Sequence, residues 1–561
     1  MVGHGSLFSH LKPHQPLIVV FGEFVRTVRL WIKVRDSLTL GTPRILFSDP
    51  PLSELFHELK MVTDTPSEVS NPQRYRTLQW EPQQRILDDR PTADRFIPPI
   101  SLLYDGFGYF DDVLYERRPV PGEKNILEVE LWNKVDTFAD RMAEFYRTDA
   151  ERRGAFLDHL ERMFRARRDP HAVGEIIAVR EDTSIARFLG TASAGHTDGA
   201  HGAMVFCTEC KNELSNISCE PSAELVSRVA RSFKERLDGE HRALFHGWRV
   251  PALGVTLIGE QVPSVPYLHH LTRFSGPFVQ FFGIVMLAPQ MRVVPLTPML
   301  PLATPINDQR SRQTVFLAFK AASIVLAKIQ ADVKRLIQET PPEIPLELRG
   351  LPSVTGIEAI KSSSQRINFT LLRRHDMKID CRNLYHARTV PEGEEIYVKF
   401  TQRYSRDLHL FCADRGLAPK LLGFERLPGG WFALAMEKID NELTSLSELG
   451  NWKKEIQQLV KDFHQEDLVH GDLRLANFIH TKSNPCKMLL IDFDWGGKAG
   501  EVYYPRGVLA EELRAQGDQD NLLDRPITKE DDDRVLAGTF KPMDEIFAEW
   551  RGLDMDSVGH T

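Results

Sequence analysis

The chain has 561 residues, 42% hydrophobic and 26% charged, with a formal net charge of −8. That composition suits a globular protein with a sizeable core; it argues against a general nucleic-acid coat, though a local basic groove is compatible with it. Six cysteines scattered over this length argue against a disulfide framework and fit a reducing compartment.

The first residues, MVGHGSLFSHLKPHQP, lack a signal-peptide profile. The apolar run 16–34 carries Glu23, Arg26 and Arg29, and GPFVQFFGIVMLAP (276–289) is too short to cross a bilayer. Both are expected as buried strands or core helices. The protein is expected to be intracellular, cytoplasmic or nuclear, with no membrane partner.

Residues 1–95 are Pro-rich and mixed and suggest no chemistry. Residues 96–300 read as an α/β region. Over 136–167 the pattern is helical, with Phe156, Leu157, Leu160, Met163 and Phe164 on one face. Strand-like runs follow: GAMVFCTECK, PALGVTLIGEQ and MRVVPLTPML. Prolines in TPMLPLATPINDQ mark a linker, and 314–338 reads as one long helix. Residues 301–345 are therefore expected to be a linker containing that helix. A second Pro-rich break, ETPPEIPLELRGLP, precedes a compact unit over 346–561.

In that unit NWKKEIQQLVKDFHQEDLVHGDL places Ile456, Leu459, Val460 and Phe463 at helical spacing. A short strand, LVH, leads to a loop with Asp472 and Asn477. KMLLIDFDW reads as a buried strand that delivers carboxylates at its tip. Phosphoryl transfer is mostly positioning and charge neutralisation. It needs a carboxylate to accept a hydroxyl proton, for which Asp472 fits. It also needs an amide oxygen and a second carboxylate for metal, for which Asn477 and Asp492 fit. A cation near the phosphates is supplied by Lys399 on the strand EEIYVKF.

HGDLRLANF resembles the H-R-D-L-x-x-x-N catalytic loop of the protein-kinase-like superfamily. IDFD resembles its metal-binding D-F-G, and YVKF its V-A-I-K strand. The wider stretch EEIYVKFTQRYSRDLHLFCADRGLAPKLLGF, with LVKDFHQEDLVHGDLRLANF and IDFDWGGKAGEVYYP, is similar to the fungal-type protein kinases. The resemblance implies a two-lobed domain using ATP and Mg²⁺. Lys399 would hold the α/β-phosphates, Asp472 would be the base, and Asn477 and Asp492 would be metal ligands. Arg474 falls near the γ-phosphate, and backbone groups of Glu437 and Ile439 would face adenine. Asp532 or Asp533 would anchor the catalytic loop.

The sequence departs from that pattern in several places. Gly471 replaces the Arg of H-R-D, and Asp494 replaces the Gly of D-F-G, adding a metal ligand or stiffening the loop. HDMKIDC, expected to cover the phosphates, has no glycine. Asp407 rather than Glu is offered as the ion-pair partner of Lys399. No A-P-E motif follows, so the substrate-binding half is shortened.

In the middle region, a strand through TDGAHGAMVFCTECKNEL would point Glu209 and Lys211 to one face and Cys210 to the other. With Asp198 or Asp182 as a further acid, such a set can hold Mg²⁺ and activate water for phosphodiester cleavage. This resembles the PD-(D/E)XK nuclease pattern, and its pairing with a kinase-like domain resembles Crinkler-type effector proteins. No Gln follows in AELVSRVARSF, where many such nucleases place a polar residue. Cys207 and Cys210 form C-x-x-C, but three residues apart on a strand face opposite sides; buried structural cysteines are expected rather than zinc ligands.

The expected fold class is α+β: an α/β, restriction-endonuclease-like domain followed by a kinase-like domain. The expected function is ATP- and Mg²⁺-dependent phosphotransfer to a protein or small-molecule hydroxyl. The alternatives are an inactive, nucleotide-binding kinase-like platform, or an effector whose kinase-like part regulates a nuclease-like domain that meets nucleic acid.

Overall fold

The computed structural model describes residues 19–21, 24–26, 52–89, 97–126, 128–144, 146–164, 176–181, 185–190, 203–211, 220–234, 237, 242–259, 277–288, 290–305, 307–375, 383–443, 451–482, 485–505 and 525–540. The chain divides into two units, Met1–Pro50 and Pro51–Thr561. In the first, β1 (Val19–Phe21) and β2 (Phe24–Arg26) form an antiparallel hairpin with Val19 opposite Arg26.

The second unit opens with short helices α1 (Leu52–His57), α2 (Lys60–Thr63), α3 (Pro66–Val69) and α4 (Pro72–Trp80). Local chemistry starts and stops them. Thr65 and Glu68 form a capping box at α3, and the Asn71 side chain caps α4 with Pro72 in its first turn. Phe56, Met61, Val62, Val69 and Leu78 enter one apolar core with residues as far along as Leu336. Residues 52–89 are thus a layer of the α/β core.

After α5 (Ile100–Leu103), α6 (Asp105–Leu114), α7 (Glu128–Met142) and α8 (Asp149–Phe164) comes a mixed sheet. The helical pattern over 136–167 is broken: α7 ends at Met142 and α8 begins at Asp149. β3 (Ile176–Glu181), β4 (Ile185–Gly190) and β5 (Ala203–Lys211) form an antiparallel meander. Helix α9 (Pro221–Lys234) then crosses over to β6 (Ala252–Ile258), which runs parallel to β5 with Phe206 opposite Leu253 and Lys211 opposite Ile258. α10 (Arg242–Gly247) precedes β6. β7 (Phe278–Met286), β8 (Met291–Pro295) and β9 (Leu300–Pro301) complete the sheet in the order β3-β4-β5-β6-β7-β8, with β9 also on β7. The apolar run expected as a buried strand or core helix thus contains a central strand, β7.

The long helix α11 spans Gln309–Glu339, capped by the Asp308 side chain on Ser311 N. By length and composition, 309–333 could cross a membrane, but 67% of its apolar window is buried in this molecule. Val315, Phe319, Ala322, Val325, Ile329 and Val333 pack into the same core as the sheet. This corrects the linker expected over 301–345: its helix is a core element, as its apolar residues at three- and four-residue spacing require.

Beyond 345 the chain forms a closed barrel from β10 (Gly356–Ala359), β11 (Ser362–Arg374), β12 (Asn383–Val390), β13 (Glu395–Thr401), β14 (Leu421–Arg426) and β15 (Phe432–Glu437). Its order is β10-β11-β12-β13-β15-β14. Phe369, Leu371, Tyr385, Ala387, Ile396, Val398, Phe400, Ala433 and Ala435 fill its interior. Helix α12 (Arg406–Asp414) joins β13 to β14. A separate apolar cluster gathers Leu408, Cys412, Ile456, Leu459, Val460, Phe463, Phe478, Leu490, Phe493 and Val535. Around it stand α12, α13 (Lys453–Gln465), the three-stranded sheet β16 (Asn441–Leu443), β18 (Phe478–Thr481) and β19 (Met488–Leu490), the pair β17 (Leu468–Val469) and β20 (Gly497–Lys498), and α14 (Lys529–Thr539), with α12, α13, β17, β18, β19 and α14 contributing side chains to it.

The barrel and the α/β core dock closely. A Cβ on Gly108 would lie 2.6 Å from Pro428 Cβ. Arg117 donates to Gly429 O at 2.9 Å, and Trp431 Nε1 to Ser101 Oγ at 3.1 Å. Two buried arginines clasp reciprocally: Arg249 donates to the carbonyls of Leu348, Arg349 and Leu351, and Arg349 to those of Phe245, His246 and Trp248. A cavity of about 750 Å³ opens beside this junction, and Lys399, Asp472, Asn477 and Asp492 are not among its lining residues.

Candidate active site

The barrel delivers Lys399 and the short strands deliver the carboxylates. On β13, Ile396, Val398 and Phe400 face the barrel interior, so Lys399 projects from the outer face. There its ammonium lies 2.7 Å from Asp492 Oδ1 and 2.5 Å from Asp494 Oδ1, and it is 6% exposed. Burial opposes the charged form, but the two carboxylates outweigh it and hold the lysine above its ordinary value. Asp492 has φ +72°, a conformation that costs a non-glycine residue energy and that clusters at functional sites. The expected partner Asp407 is exposed in the first turn of α12. That pairing is corrected: Asp494, two residues after Asp492, neutralises Lys399 together with Asp492.

The stretch His470–Asn477 is held from behind. Asp532 on α14 is fully buried and accepts from His470 N at 2.8 Å, Gly471 N at 2.7 Å and His464 Nε2 at 3.2 Å. Asp533 is exposed, so of the two anchor candidates Asp532 makes the contact. Gly471 has φ +79°, and a Cβ there would meet Ile527 Cδ1 at 2.9 Å. Its place in HGD follows from that backbone. Behind the loop, Phe493 is stacked on His409 at 4.6 Å and 11°, with His470 edge-on at 5.4 Å. His409 is fixed by Tyr404 Oη at 2.6 Å and Pro419 O at 2.7 Å.

The loop brings Asp472 and Asn477 together. Asn477 Nδ2 donates to Asp472 O and to Asp472 Oδ2, both at 2.8 Å. Asn477 N–H donates to Arg474 O, and its carbonyl accepts from Ile491 N, which ties the loop to the residue before Asp492. Asn477 Oδ1 is buried with no hydrogen-bond partner. Arg474 Nε lies 2.7 Å from Asp472 Oδ1. Burial pushes the Asp472 carboxyl above its ordinary value, against the opposing pull of Arg474 and His470. Of the adenine-facing candidates, Glu437 ends β15; its N–H donates to Lys420 O, and its carboxylate accepts from Lys420 N at 2.7 Å. Ile439 follows it, half-buried.

The oxygen donors fit a hard cation such as Mg²⁺. The orphaned Asn477 Oδ1 needs a positive or donor partner, and carboxylates of Asp492 and Asp494 stand beyond it in the chain. Among the described residues no group of three His, Cys, Asp or Glu side chains forms a metal cage, so Asn477 and a carboxylate such as Asp492 would supply part of the ligand set of such an ion and groups outside the chain the rest. The loop 376–382, which contains most of HDMKIDC, lies outside the described residues.

A second charged cluster sits on β5 and α9. Lys211 Nζ lies 3.1 Å from Glu209 and 2.7 Å from Glu224; Arg228 lies 3.2 Å from Glu209 and 2.7 Å from Glu224. Glu209 and Glu224 are buried. Burial and Glu224 push Glu209 up, whereas Lys211 and Arg228 hold Glu224 down against burial. Glu224 and Arg228 were not singled out by sequence reasoning, which sought a Gln in this helix. The available signal was an i,i+4 charged pair on a helix whose neighbours are apolar. Asp182 and Asp198 lie outside the described residues. Cys207, whose Sγ lies 4.0 Å from Leu225 O on α9, and Cys210 are both buried.

No family model matches the chain, and no curated protein matches it. Among solved structures, the Cydia pomonella granulovirus kinase PK-1 is similar at 13% identity over 30% of this chain, with a TM-score of 0.25. Vaccinia related kinase 3 is similar at 13% identity over 34% of this chain, with a TM-score of 0.26. The chain spans 65% and 67% of those two proteins. Both likenesses are partial, and the chemistry is carried by the side chains.

Proposed function

We propose that the protein is an ATP- and Mg²⁺-dependent phosphotransferase acting on a hydroxyl of a protein or small molecule. The observation that carries this reading is the Asp472–Asn477 pair. One face of the Asn477 amide orients the Asp472 carboxylate, and the other presents an unpartnered buried oxygen beside the segment that holds Asp492. Asp472 accepts the hydroxyl proton; its raised carboxyl makes it a better base when ionised. Arg474 holds its position and adds positive charge where the transferred group develops negative charge. Lys399 holds phosphate oxygens, and backbone groups of Glu437 and Ile439 meet the adenine edge. Asn477 and Asp492 would hold Mg²⁺, which when bound neutralises phosphate charge.

The experiment is transfer from labelled ATP in Mg²⁺ to generic protein and small-molecule hydroxyl acceptors, comparing wild type with Asp472→Ala. Transfer by wild type alone is expected. Equal, negligible transfer by both while both bind ATP would leave an inactive nucleotide-binding platform.

A second reading concerns the other cluster. Three antiparallel strands, a crossover helix and a parallel fourth strand, with Glu209 and Lys211 at the end of the third, support a nuclease-like, nucleic-acid-facing domain. Asp182 or Asp198 would supply the further acid. Incubation with plasmid and short duplexes in Mg²⁺ or Mn²⁺ tests it: cutting that disappears in Lys211→Ala is expected, and absence of cutting by wild type removes it.

A further inference from the structure

The cavity of about 750 Å³ beside the junction of α/β core and barrel has the size of a small-molecule site. The core side of its lining includes Tyr104, Tyr109, Trp248 and Arg249, and the barrel side includes Thr370 on β11. Most charges on this lining are answered within the chain. Lys328 Nζ lies 3.1 Å from both Asp105 and Asp332, and Arg335 meets Asp332 and Glu339. Arg366 lies 3.0 Å from Glu425, and Glu343 meets His246 at 3.1 Å.

Arg249 is different. It is 8% exposed, and its Nε and Nη2 donate to the carbonyls of Arg349, Leu348 and Leu351 at 2.7, 3.0 and 2.8 Å. Burial lowers it to about 10, and no carboxylate opposes that fall, so it is charged at neutral pH. Arg349 beside it is fully buried, and burial and the Arg249 charge lower it to about 10 as well. Its Nε is buried with no hydrogen-bond partner. Carbonyl dipoles satisfy donors, but they do not neutralise two adjacent buried guanidinium groups, and buried charges are ordinarily paired. With Nε and Nη2 of Arg249 spent, Nη1 is the group left to meet an anion.

We propose that this cavity binds a small organic carboxylate with an aromatic body, its carboxylate on Arg249 and its ring system against Tyr104, Tyr109 and Trp248. The carboxylate supplies the negative charge that the lining lacks at Arg249. The three rings favour a flat body, because aromatic groups gain from offset and edge-on contact beyond the area they bury. The inference stands apart from the phosphotransferase reading, since neither Lys399 nor Asp472 lines the cavity.

The test measures binding of 2-naphthoate, 2-naphthalenemethanol and 2-naphthylmethylammonium to the full chain by calorimetry. The three share a ring system and differ in charge. Wild type is expected to bind the naphthoate about tenfold more tightly than the alcohol, as a charge-assisted hydrogen bond predicts, and the ammonium most weakly. Arg249→Gln is expected to bring the naphthoate down to the level of the alcohol while leaving the alcohol unchanged, which also reports an intact cavity. Thr370→Trp, at an exposed position of the lining, leaves the arginine in place and is expected to weaken all three probes by filling the space. Should Arg249→Gln lose its cooperative melt or its alcohol binding, Thr370→Trp and the wild-type ranking of the probes decide. Wild type that binds the naphthoate no more tightly than the alcohol or the ammonium overturns the proposal. So does naphthoate binding that survives Thr370→Trp unchanged.

Discussion

Two buried charged clusters in this chain use the same residue types to opposite ends. On β5 and α9, Glu209 and Glu224 each meet both Lys211 and Arg228, so charge is balanced and each carboxylate has two cationic partners. Around the catalytic-loop stretch, Asp472, Asp492 and Asp494 outnumber Lys399 and Arg474, and the Asn477 Oδ1 acceptor has no partner. A balanced cluster closes on itself and contributes specificity of packing. A cluster with surplus negative charge and an orphaned acceptor is incomplete until cations arrive. On the proposed reading, the difference separates a cluster that ligands would complete from one whose ion pairs would have to open before it could act.

The sharpest way to break the comparison is Asp472→Asn. If Asp472 is the base, transfer at saturating ATP falls by roughly 10²–10⁴-fold, with ATP affinity retained. The Asp472 carboxyl is raised in the fold, so its ionised form is disfavoured there; the stability tied to its protonated form is present below the ordinary value and lost as pH rises through the raised one. At neutral pH the neutral Asn therefore leaves the melting temperature unchanged or higher. The same shift places the acid limb of the wild-type rate profile above the ordinary aspartate range, because activity is lost as pH falls through the raised value. A rate profile flat down to the ordinary range would separate Asp472 from the proton transfer.

Next in size is Arg228→Leu. It leaves Glu209 and Glu224 with Lys211 alone in a buried setting, and breaking such a network costs about 3–5 kcal/mol. Chemical denaturation reads it. A loss below about 1 kcal/mol would mean that the cluster is hydrated and open, which would favour a working site there. Asp532→Ala acts on the other cluster by removing the acceptor of two buried loop amides, at a cost on the order of 3 kcal/mol, and transfer falls with it because the loop loses its anchor. Gly471→Ala is milder: its φ and the contact with Ile527 predict a loss of about 1–3 kcal/mol. Gly350→Ala, where an added Cβ meets nothing within 4 Å, is the control.

These expectations also mark where the sequence was informative. Lys399, Asp472, Asn477 and Asp492 were legible because short motifs fix backbone and chemistry together: a strand with an outward Lys, a tight loop, a strand ending in acids. The α11 helix was legible as a helix from its periodicity but not as part of the core, since Pro-rich flanks look alike whether they join domains or turn a corner within one. Glu224 and Arg228 were hidden because their partners lie on β5, and an i,i+4 pair reads as surface decoration until a sheet covers it. The partner of Lys399 was misplaced for a related reason. Ion pairing is set by which chain segment comes within about 3 Å, and the sequence contains several acids at plausible separations.

That last point yields the smallest expected effect and a direct test of how the cleft is organised. Asp407 is exposed and stands at the start of α12, whereas Lys399 is already shared by Asp492 and Asp494. Asp407→Asn should therefore change stability by no more than about 0.5 kcal/mol, as surface substitutions do, and leave the KM for ATP within about twofold by the same reasoning. Asp494→Asn removes one of the two described carboxylates on a buried ammonium and should lower that KM, because the phosphates then compete with Asp492 alone for the lysine. If Asp407→Asn proved the more damaging of the two, α12 would have to move inward when nucleotide binds, exchanging Asp494 for Asp407 on Lys399. The surplus of negative charge in the cleft would then belong to a resting arrangement rather than to the working one.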